Sequence, residues 1–415
     1  MSLDAMGLDT ARAGAGRVLH TLGTLPVAQF LAHYWQRRPV CIRQAFAGNA
    51  GAAALLAPIT RERLVELAGR DDVEARLVSA FAQRWRVRHG PFAARQLPAP
   101  ARAAWTLLVQ GVDLHDAGVA QLAMRFGFLP AARFDDVMIS YASDGGGVGP
   151  HVDQYDVFLL QAQGRRRWRV AAHFDPQLVA GLPLRILANF RHEQEWVLEP
   201  GDLLYLPPGI AHEGVALGAS ITVSIGFRLP PWEELVEAWA EHRARTAPVP
   251  GRVPDTTRRA TRTPARLPRA MVDAAVRELR RAVPSRAQAR RTLLEHLTEP
   301  KPTVSFAPPR PAAGLVRFGA GAVRRGLVLD LRTRMLYKGA DVAINGELFA
   351  FPVAPEAVPT DAAGALRLLH DLANDRMLTP FALSSAAPET SAALLPILHI
   401  WYRYGWVHLA QTERY

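Results

Sequence analysis

This sequence of 415 residues contains a single cysteine, Cys41, so no disulfide can form within the chain. That usage suits a reducing cytoplasm, where we expect the protein to work. Cys41 sits in Pro-Val-Cys-Ile-Arg, which reads as a strand with an inert, buried thiol. The sequence also lacks any apolar run of the roughly 18 residues needed to span a membrane. Its start carries Asp4 and Asp9 and no cationic stretch leading an apolar one, so we expect no secretory signal. The glycines Gly145, Gly146, Gly147 and Gly149 lack a following Lys-Ser/Thr and do not open a helix. They therefore do not make a phosphate loop and read as a flexible loop at a barrel mouth.

Charge of one sign is abundant, with a formal net charge of +11. Much of it lies between Arg258 and Arg291, a segment with few aromatics, which gives base stacking little support. A solvated linker and helix surface is one reading of that segment. A weak contact to RNA or another acidic surface is the other.

The chain is too long for one compact domain. Residues 26–39 have apolar positions at helical spacing ending at Pro39, with strands at Val40 to Arg43 and Trp105 to Val109. From Phe134 to Arg228, short alternating strands separated by glycine and proline turns predict a double-sheet barrel or jelly roll. Trp232 to Arg245 is helical, and residues 246–268 read as a linker. Ala270 to Leu297 is helical with a break at Pro284, followed by a proline-rich joint from Pro300 to Pro311. The final part has strands, a hairpin turn at Asn345-Gly346, and helices over Ala365 to Asn374 and Ser391 to Tyr404. That order fits a compact α+β module of winged-helix type. Trp401, Tyr402, Tyr404 and Trp406 read as core there, and His33, His192, His370 and His408 as surface or packing residues.

The motif that carries chemistry is Gly-Pro-His-Val-Asp, with His151 and Asp153 two apart and therefore on one strand face. His212 follows a Pro-Pro-Gly turn in Glu-Pro-Gly-Asp-Leu-Leu-Tyr-Leu-Pro-Pro-Gly-Ile-Ala-His. Two imidazoles and one carboxylate on one side of a metal form the facial triad of non-haem Fe(II) oxygenases, which leaves positions open for co-substrate and O₂.

Strand parity separates inward from outward residues. Asp136, Met138 and Ser140 share one face, and His151, Asp153, Tyr155, Val157 and Leu159 another. Gly164 is expected to end a turn, with Arg165 to Val170 as the returning strand. There Arg166 shares a face with Trp168 and Val170, whereas Arg165, Arg167 and Arg169 face outward. A buried arginine needs an anionic partner. The distal carboxylate of 2-oxoglutarate would satisfy its planar fork, and so would a structural ion pair with a protein carboxylate. Thr222, Ser224 and Gly226 form the polar face of the last strand.

The segments MISYASDGGGVGPHVDQYDVFLLQAQGRRRWRV and EPGDLLYLPPGIAHEG resemble the Jumonji-C ribosomal oxygenases, specifically the bacterial ribosomal-protein arginine hydroxylases. The resemblance is dense from about Asp135 to Arg228 and elsewhere rests on the order of parts. It implies an α+β chain with a double-stranded β-helix (jelly-roll or cupin) barrel. The Jumonji-C catalytic domain would cover residues 1–230, with its barrel core at about 134–230. A helical dimerisation segment over 231–300 and a C-terminal winged-helix module over 311–415 would follow. It implies Fe(II) held by His151, Asp153 and His212 and 2-oxoglutarate held by Arg166 with Ser140. It further implies a homodimer and a substrate arginine gripped by Asp136, Tyr155 and Ser224. The expected activity is hydroxylation of an arginine, at the β-carbon, of a large-subunit (50S) ribosomal protein, with O₂ as the second co-substrate. The proline- and arginine-rich linker and the alanine-rich stretch up to Gly16 depart from the family.

Two other readings remain open. Histidine hydroxylation or lysine demethylation would use the same iron site. A non-catalytic cupin-type regulator with a DNA-binding winged helix is the alternative of another class. Residues 311–415 carry ten Lys/Arg against nine Asp/Glu, too even a balance to attract phosphates.

Overall fold

A computed structural model describes residues 18–47, 59–81, 84–247, 267–350 and 360–410. Most of the expected linker, including Arg258 to Arg266, lies outside the described residues, as does the alanine-rich stretch up to Gly16. The described chain forms two compact units. One holds residues up to Leu229 together with Lys301–Thr333 and Asn374 onward, and the other holds Pro230–Pro300 with Arg334–Ala373.

The first unit is built on an antiparallel sheet. Its strands are β1 (Val40–Ile42), β2 (Ala75–Phe81), β3 (Arg84–His89), β4 (Trp105–Val109), β5 (Phe134–Ala142), β6 (His151–Val152), β7 (Asp156–Ala171), β8 (Gln194–Leu198), β9 (Leu203–Leu206) and β10 (Ala211–Phe227). Hydrogen-bonded order runs β1-β9-β7-β10-β5-β4-β2-β3, with β8 added to β7 and β6 to β10. Side chains alternate along β7, so successive residues enter different cores. Phe158 and Leu160 join the larger core, which includes Phe30, Phe126, Tyr205 and Phe227. Val157 and Leu159, with Trp168 and Val170 farther along, form the smaller core on the side of the site. Burial on both faces explains the continuous apolar run Val157 to Leu160.

The turn expected at Gly164 is absent. β7 runs unbroken for 16 residues and pairs along both halves with β10. Gly164 instead adopts a φ of +65°, and a Cβ there would collide with the Ala219 carbonyl. Glycine thus permits a bend and a close strand approach where the sequence alone reads equally well as a turn. The glycine-rich run is a loop, and neighbouring backbone lies close against it. Gly145 donates to the Ala216 carbonyl at 3.0 Å, and Gly146 accepts from Ala216 at 2.9 Å. A Cβ on Gly146 or Gly147 would strike the carbonyls of Trp105 or Gly214. These residues are small because neighbouring backbone lies against them.

The unit also holds helices Leu315–Arg325, Pro380–Ser384 and Pro388–Tyr404. With them goes a three-stranded sheet in which Leu327–Leu329 lies between Met377–Leu378 and Val407–Leu409. Trp401, Tyr402 and Trp406 are buried, while Tyr404 is exposed and packs at a tilt against Trp406.

In the second unit, helices Trp232–Thr246, Arg269–Arg281 and Arg286–Thr298 accompany a meander of Met335–Lys338, Asp341–Ile344 and Glu347–Ala350. The Pro284 break is followed by a capping box in which Ser285 and Gln288 satisfy each other's backbone N–H groups. Asn345 and Gly346 both have positive φ, as the expected hairpin requires. Gly346 N–H donates to Thr298 Oγ1 at 3.1 Å, and Arg290 and Arg291 both reach Asp341. The meander therefore groups with the helical segment. Among the described residues no helix is long and apolar enough to cross a membrane.

Candidate metal and co-substrate site

β6 is only two residues long, yet it fixes the site. His151 on β6 and His212 on β10 are direct cross-strand partners, with ring centroids 4.3 Å apart. Asp153 follows β6 immediately. One ligand atom from each of the three residues falls within 4.8 Å of the others. His212 Nε2 is 3.6 Å from Asp153 Oδ2, and His151 Nε2 is 3.9 Å from Asp153 Oδ1.

Both imidazoles turn Nδ1 to a backbone carbonyl and Nε2 toward Asp153. His151 Nδ1 lies 2.9 Å from the Gly149 carbonyl, and His212 Nδ1 lies 3.0 Å from that of Ile210. A carbonyl accepts only from a protonated nitrogen, so each Nδ1 carries hydrogen and each Nε2 offers its lone pair. Burial, and then the neighbouring His151 ring, lowers the His212 pKa to about 4. The imidazole is therefore neutral at physiological pH, the form that binds a metal. The donor set and the shared direction of the two Nε2 atoms fit a divalent ion of the iron type.

Arg166 faces inward as parity predicts. It is 3% exposed, whereas Arg165 is exposed and Arg169 is half-buried beside Glu195 at 2.7 Å. Its Nη1 donates to Ser140 Oγ at 3.0 Å and to Thr222 Oγ1 at 3.3 Å, and its Nη2 to the Gly214 carbonyl at 3.4 Å. Thr222 in turn donates to Gln161 Oε1 at 3.0 Å. Burial lowers the Arg166 pKa to about 10, which still leaves the guanidinium charged at neutral pH. Among the described residues no carboxylate is paired with it. Arg166 Nε and the nearby Trp168 Nε1 are buried donors without a hydrogen-bond partner. A buried cation with donors to spare fits an anionic, acceptor-rich ligand better than a protein ion pair. The residues present therefore suit a 2-oxo acid as well as the metal.

The triad, Arg166, Ser140, Trp168 and Thr222 line one cavity of about 380 Å³, together with Asp136, Met138, Tyr155, Ser224 and Gly226. Every site residue expected from the sequence is thus brought to one cavity. Asp136 is 5% exposed and accepts from Gln110 Nε2 at 2.6 Å and from Lys301 Nζ at 2.8 Å. The Tyr155 phenol is pushed well above its usual pKa by burial and by the Asp153 carboxylate, so it stays protonated. Ser224 is buried on β10 opposite Met138 of β5.

Sequence reasoning missed Gln110, Thr222's bond to Arg166, Gly214 and Lys301. Gln110 was within reach, because it shares strand parity with Thr106 and Leu108. Gly214 matters through what it lacks: a Cβ there would lie 2.7 Å from the Trp168 ring and 2.9 Å from Arg166 Nε. Lys301 stands 165 residues from Asp136 and has no local signature.

Comparisons with known proteins bear on this site. A family model described as a JmjC domain matches residues 121–235, a span that includes the triad and Arg166. The chain is 41% identical over 220 residues to the ribosomal protein uL16 3-hydroxylase of Escherichia coli, covering 53% of this chain and 57% of that protein. It is 36% identical over 215 residues to a probable ribosomal oxygenase of Haemophilus influenzae, covering 50% and 51% of the two chains. The matched region thus spans a little over half the length of these curated relatives. Among solved structures, the chain is similar to YcfD, a ribosomal oxygenase from E. coli in complex with cobalt and 2-oxoglutarate. That likeness has a TM-score of 0.76 and 31% identity over 94% of this chain and 99% of that one.

Proposed function

Because the chain belongs to the Jumonji-C family of ribosomal oxygenases, we propose that it is an Fe(II)- and 2-oxoglutarate-dependent oxygenase. Its substrate on this reading is an arginine of a large-subunit ribosomal protein, hydroxylated at the β-carbon. The observation that carries the oxygenase reading is Arg166, a buried guanidinium on the cavity wall beside the triad that pairs with no carboxylate among the described residues. A protein that only senses a metal has no need of it.

His151, Asp153 and His212 would hold the iron, which with 2-oxoglutarate and O₂ supplies the oxidising power for C–H hydroxylation and releases succinate and CO₂. Arg166 and Ser140 would hold the distal carboxylate, with Thr222 and Gln161 fixing the fork's orientation. Trp168 and Val170 exclude water around that charge, which strengthens every polar contact there. Asp136 supplies a charge for a guanidinium, Tyr155 a ring surface and a protonated hydroxyl, and Ser224 a further polar contact. A buried carboxylate favours a cationic side chain over a neutral imidazole, which speaks for arginine over histidine.

We keep the sequence-based division into functional parts: a catalytic part over 1–230, a dimerising segment over 231–300 and a winged-helix-type module over 311–415. Trp232 and Val236 lie on one helical stripe and are 84% and 66% exposed, a costly arrangement for an isolated chain, which supports a homodimer. The near-neutral C-terminal module favours a structural or partner-binding role over DNA reading.

Incubation with Fe(II), 2-oxoglutarate and ribosomal protein tests the reading. Succinate release stimulated by that protein is expected. Release that the ribosomal protein does not stimulate would keep the oxygenase and defeat the ribosomal substrate, and no release at all would return the chain to the regulator class.

A further inference from the structure

Of the 49 basic residues in this chain, only two, Lys301 and Lys338, are lysines. One of these two stands on the carboxylate that the proposed function assigns to substrate. Lys301 Nζ lies 2.8 Å from Asp136 Oδ2 and 3.2 Å from Asp135 Oδ1. The Asp136 side chain is 6% exposed, that of Lys301 30% and that of Asp135 27%.

A carboxylate as buried as Asp136 is costly without a cation beside it. Lys301 supplies that cation from within the chain. A substrate guanidinium would need the same oxygen, because bidentate recognition uses both. Gln110 donates to the same Oδ2 at 2.6 Å and would keep the carboxylate in place when the ammonium leaves. Asp135, already 3.2 Å from the ammonium and partly solvated, can keep it when Asp136 is given up.

Resting on the arginine-cradle reading of Asp136, we propose that Lys301 is a displaceable counter-cation that sets the selectivity of the substrate site. It holds Asp136 until a guanidinium replaces it. The choice of lysine in a chain that uses arginine almost everywhere else has a physical reason. An arginine would grip Asp136 with two parallel bonds, whereas an ammonium is a point charge that a fork can outcompete. A substrate lysine brings only the same point charge that Lys301 already presents at a high effective concentration. Lys301 therefore discriminates against lysine while admitting arginine.

Two measurements test this. In steady-state kinetics with arginine-containing ribosomal peptides, Lys301→Met should lower KM roughly tenfold, since a tethered competitor is removed. The kcat should stay within about twofold, and discrimination against the matching lysine peptide should narrow. Lys301→Arg should raise KM. A structural role alone would instead lower stability and kcat together; a raised or unchanged KM in Lys301→Met overturns the proposal. The second measurement uses the unaltered protein. Acetylation by an active ester, followed by peptide mass spectrometry, compares Lys301 with exposed Lys338. Millimolar N-acetyl-argininamide should accelerate labelling of Lys301 and not of Lys338. Unchanged or slower Lys301 labelling overturns the proposal even if the peptides are hydroxylated. Faster labelling without any hydroxylation of arginine peptides would keep the displacement and defeat the substrate reading.

Discussion

Arg166 Nη1 donates to Ser140 Oγ at 3.0 Å, and this neutral hydroxyl stands where a buried guanidinium would ordinarily meet a carboxylate. The pair joins β7 to β5 in the cavity that the metal triad also lines. It leaves the positive charge for a ligand to neutralise.

Arg166→Ala should therefore raise the 2-oxoglutarate requirement far more than Arg165→Ala or Arg167→Ala. Removing one partner of a desolvated charge pair costs about 2–5 kcal/mol. An outward arginine contributes about 0–1 kcal/mol. Titrations of 2-oxoglutarate turnover check this, and equal effects at all three positions would contradict the inward assignment.

Gly214→Ala should act through the same guanidinium. The added methyl meets the Trp168 ring and Arg166 Nε, and overpacking of this kind costs about 1–3 kcal/mol. Calorimetry should show a lower Tm, and the 2-oxoglutarate requirement should rise alongside it. A variant normal in both would mean that the backbone gives way without moving Arg166.

His212→Ala should abolish turnover and weaken metal binding while the sheet stays folded, because its cross-strand neighbours do not depend on the imidazole. Metal titration and circular dichroism separate the two effects. Near-normal turnover with Fe(II) would remove His212 from the ligand set.

Trp232→Glu with Val236→Glu should convert a dimer to a monomer. Their exposed apolar surface lies on one helical stripe, and two carboxylates there would have to be desolvated at an interface. Light scattering at micromolar concentration reads the outcome. A monomeric parent protein would defeat the dimer.

The site was legible in the sequence because strands have a period of two. Arg166 and Asp136 lie on strands of 16 and 9 residues, so their facing could be read before any partner was known. His151 lies on a strand of two residues, and Asp153 and Tyr155 follow it outside any strand, so the continuous strand expected there is broken. Gly164 was misread because glycine suits a turn and a bend equally, and only the neighbouring Ala219 carbonyl decides between them. Thr222 was placed on the right face, but its bond to Arg166 depends on the pairing of β10 with β7. Lys301 was invisible for a simpler reason: nothing local marks a residue whose meaning lies in a carboxylate 165 positions away. The helices around Pro284 were read closely because a proline breaks a helix from its own position, and the capping box that starts the next helix follows directly.

The central claim is that Asp136 presents an arginine to the metal. The most direct measurement incubates the protein, Fe(II) and 2-oxoglutarate with an arginine-containing ribosomal peptide and with its Arg→Lys and Arg→His counterparts, and locates any added oxygen by tandem mass spectrometry. We expect a single oxygen on the arginine β-carbon, and a loss of ~10²-fold or more in Asp136→Ala, as for a removed buried charge partner, with iron and 2-oxoglutarate binding retained. Oxidation of the lysine or histidine peptide in preference to the arginine peptide would contradict the account.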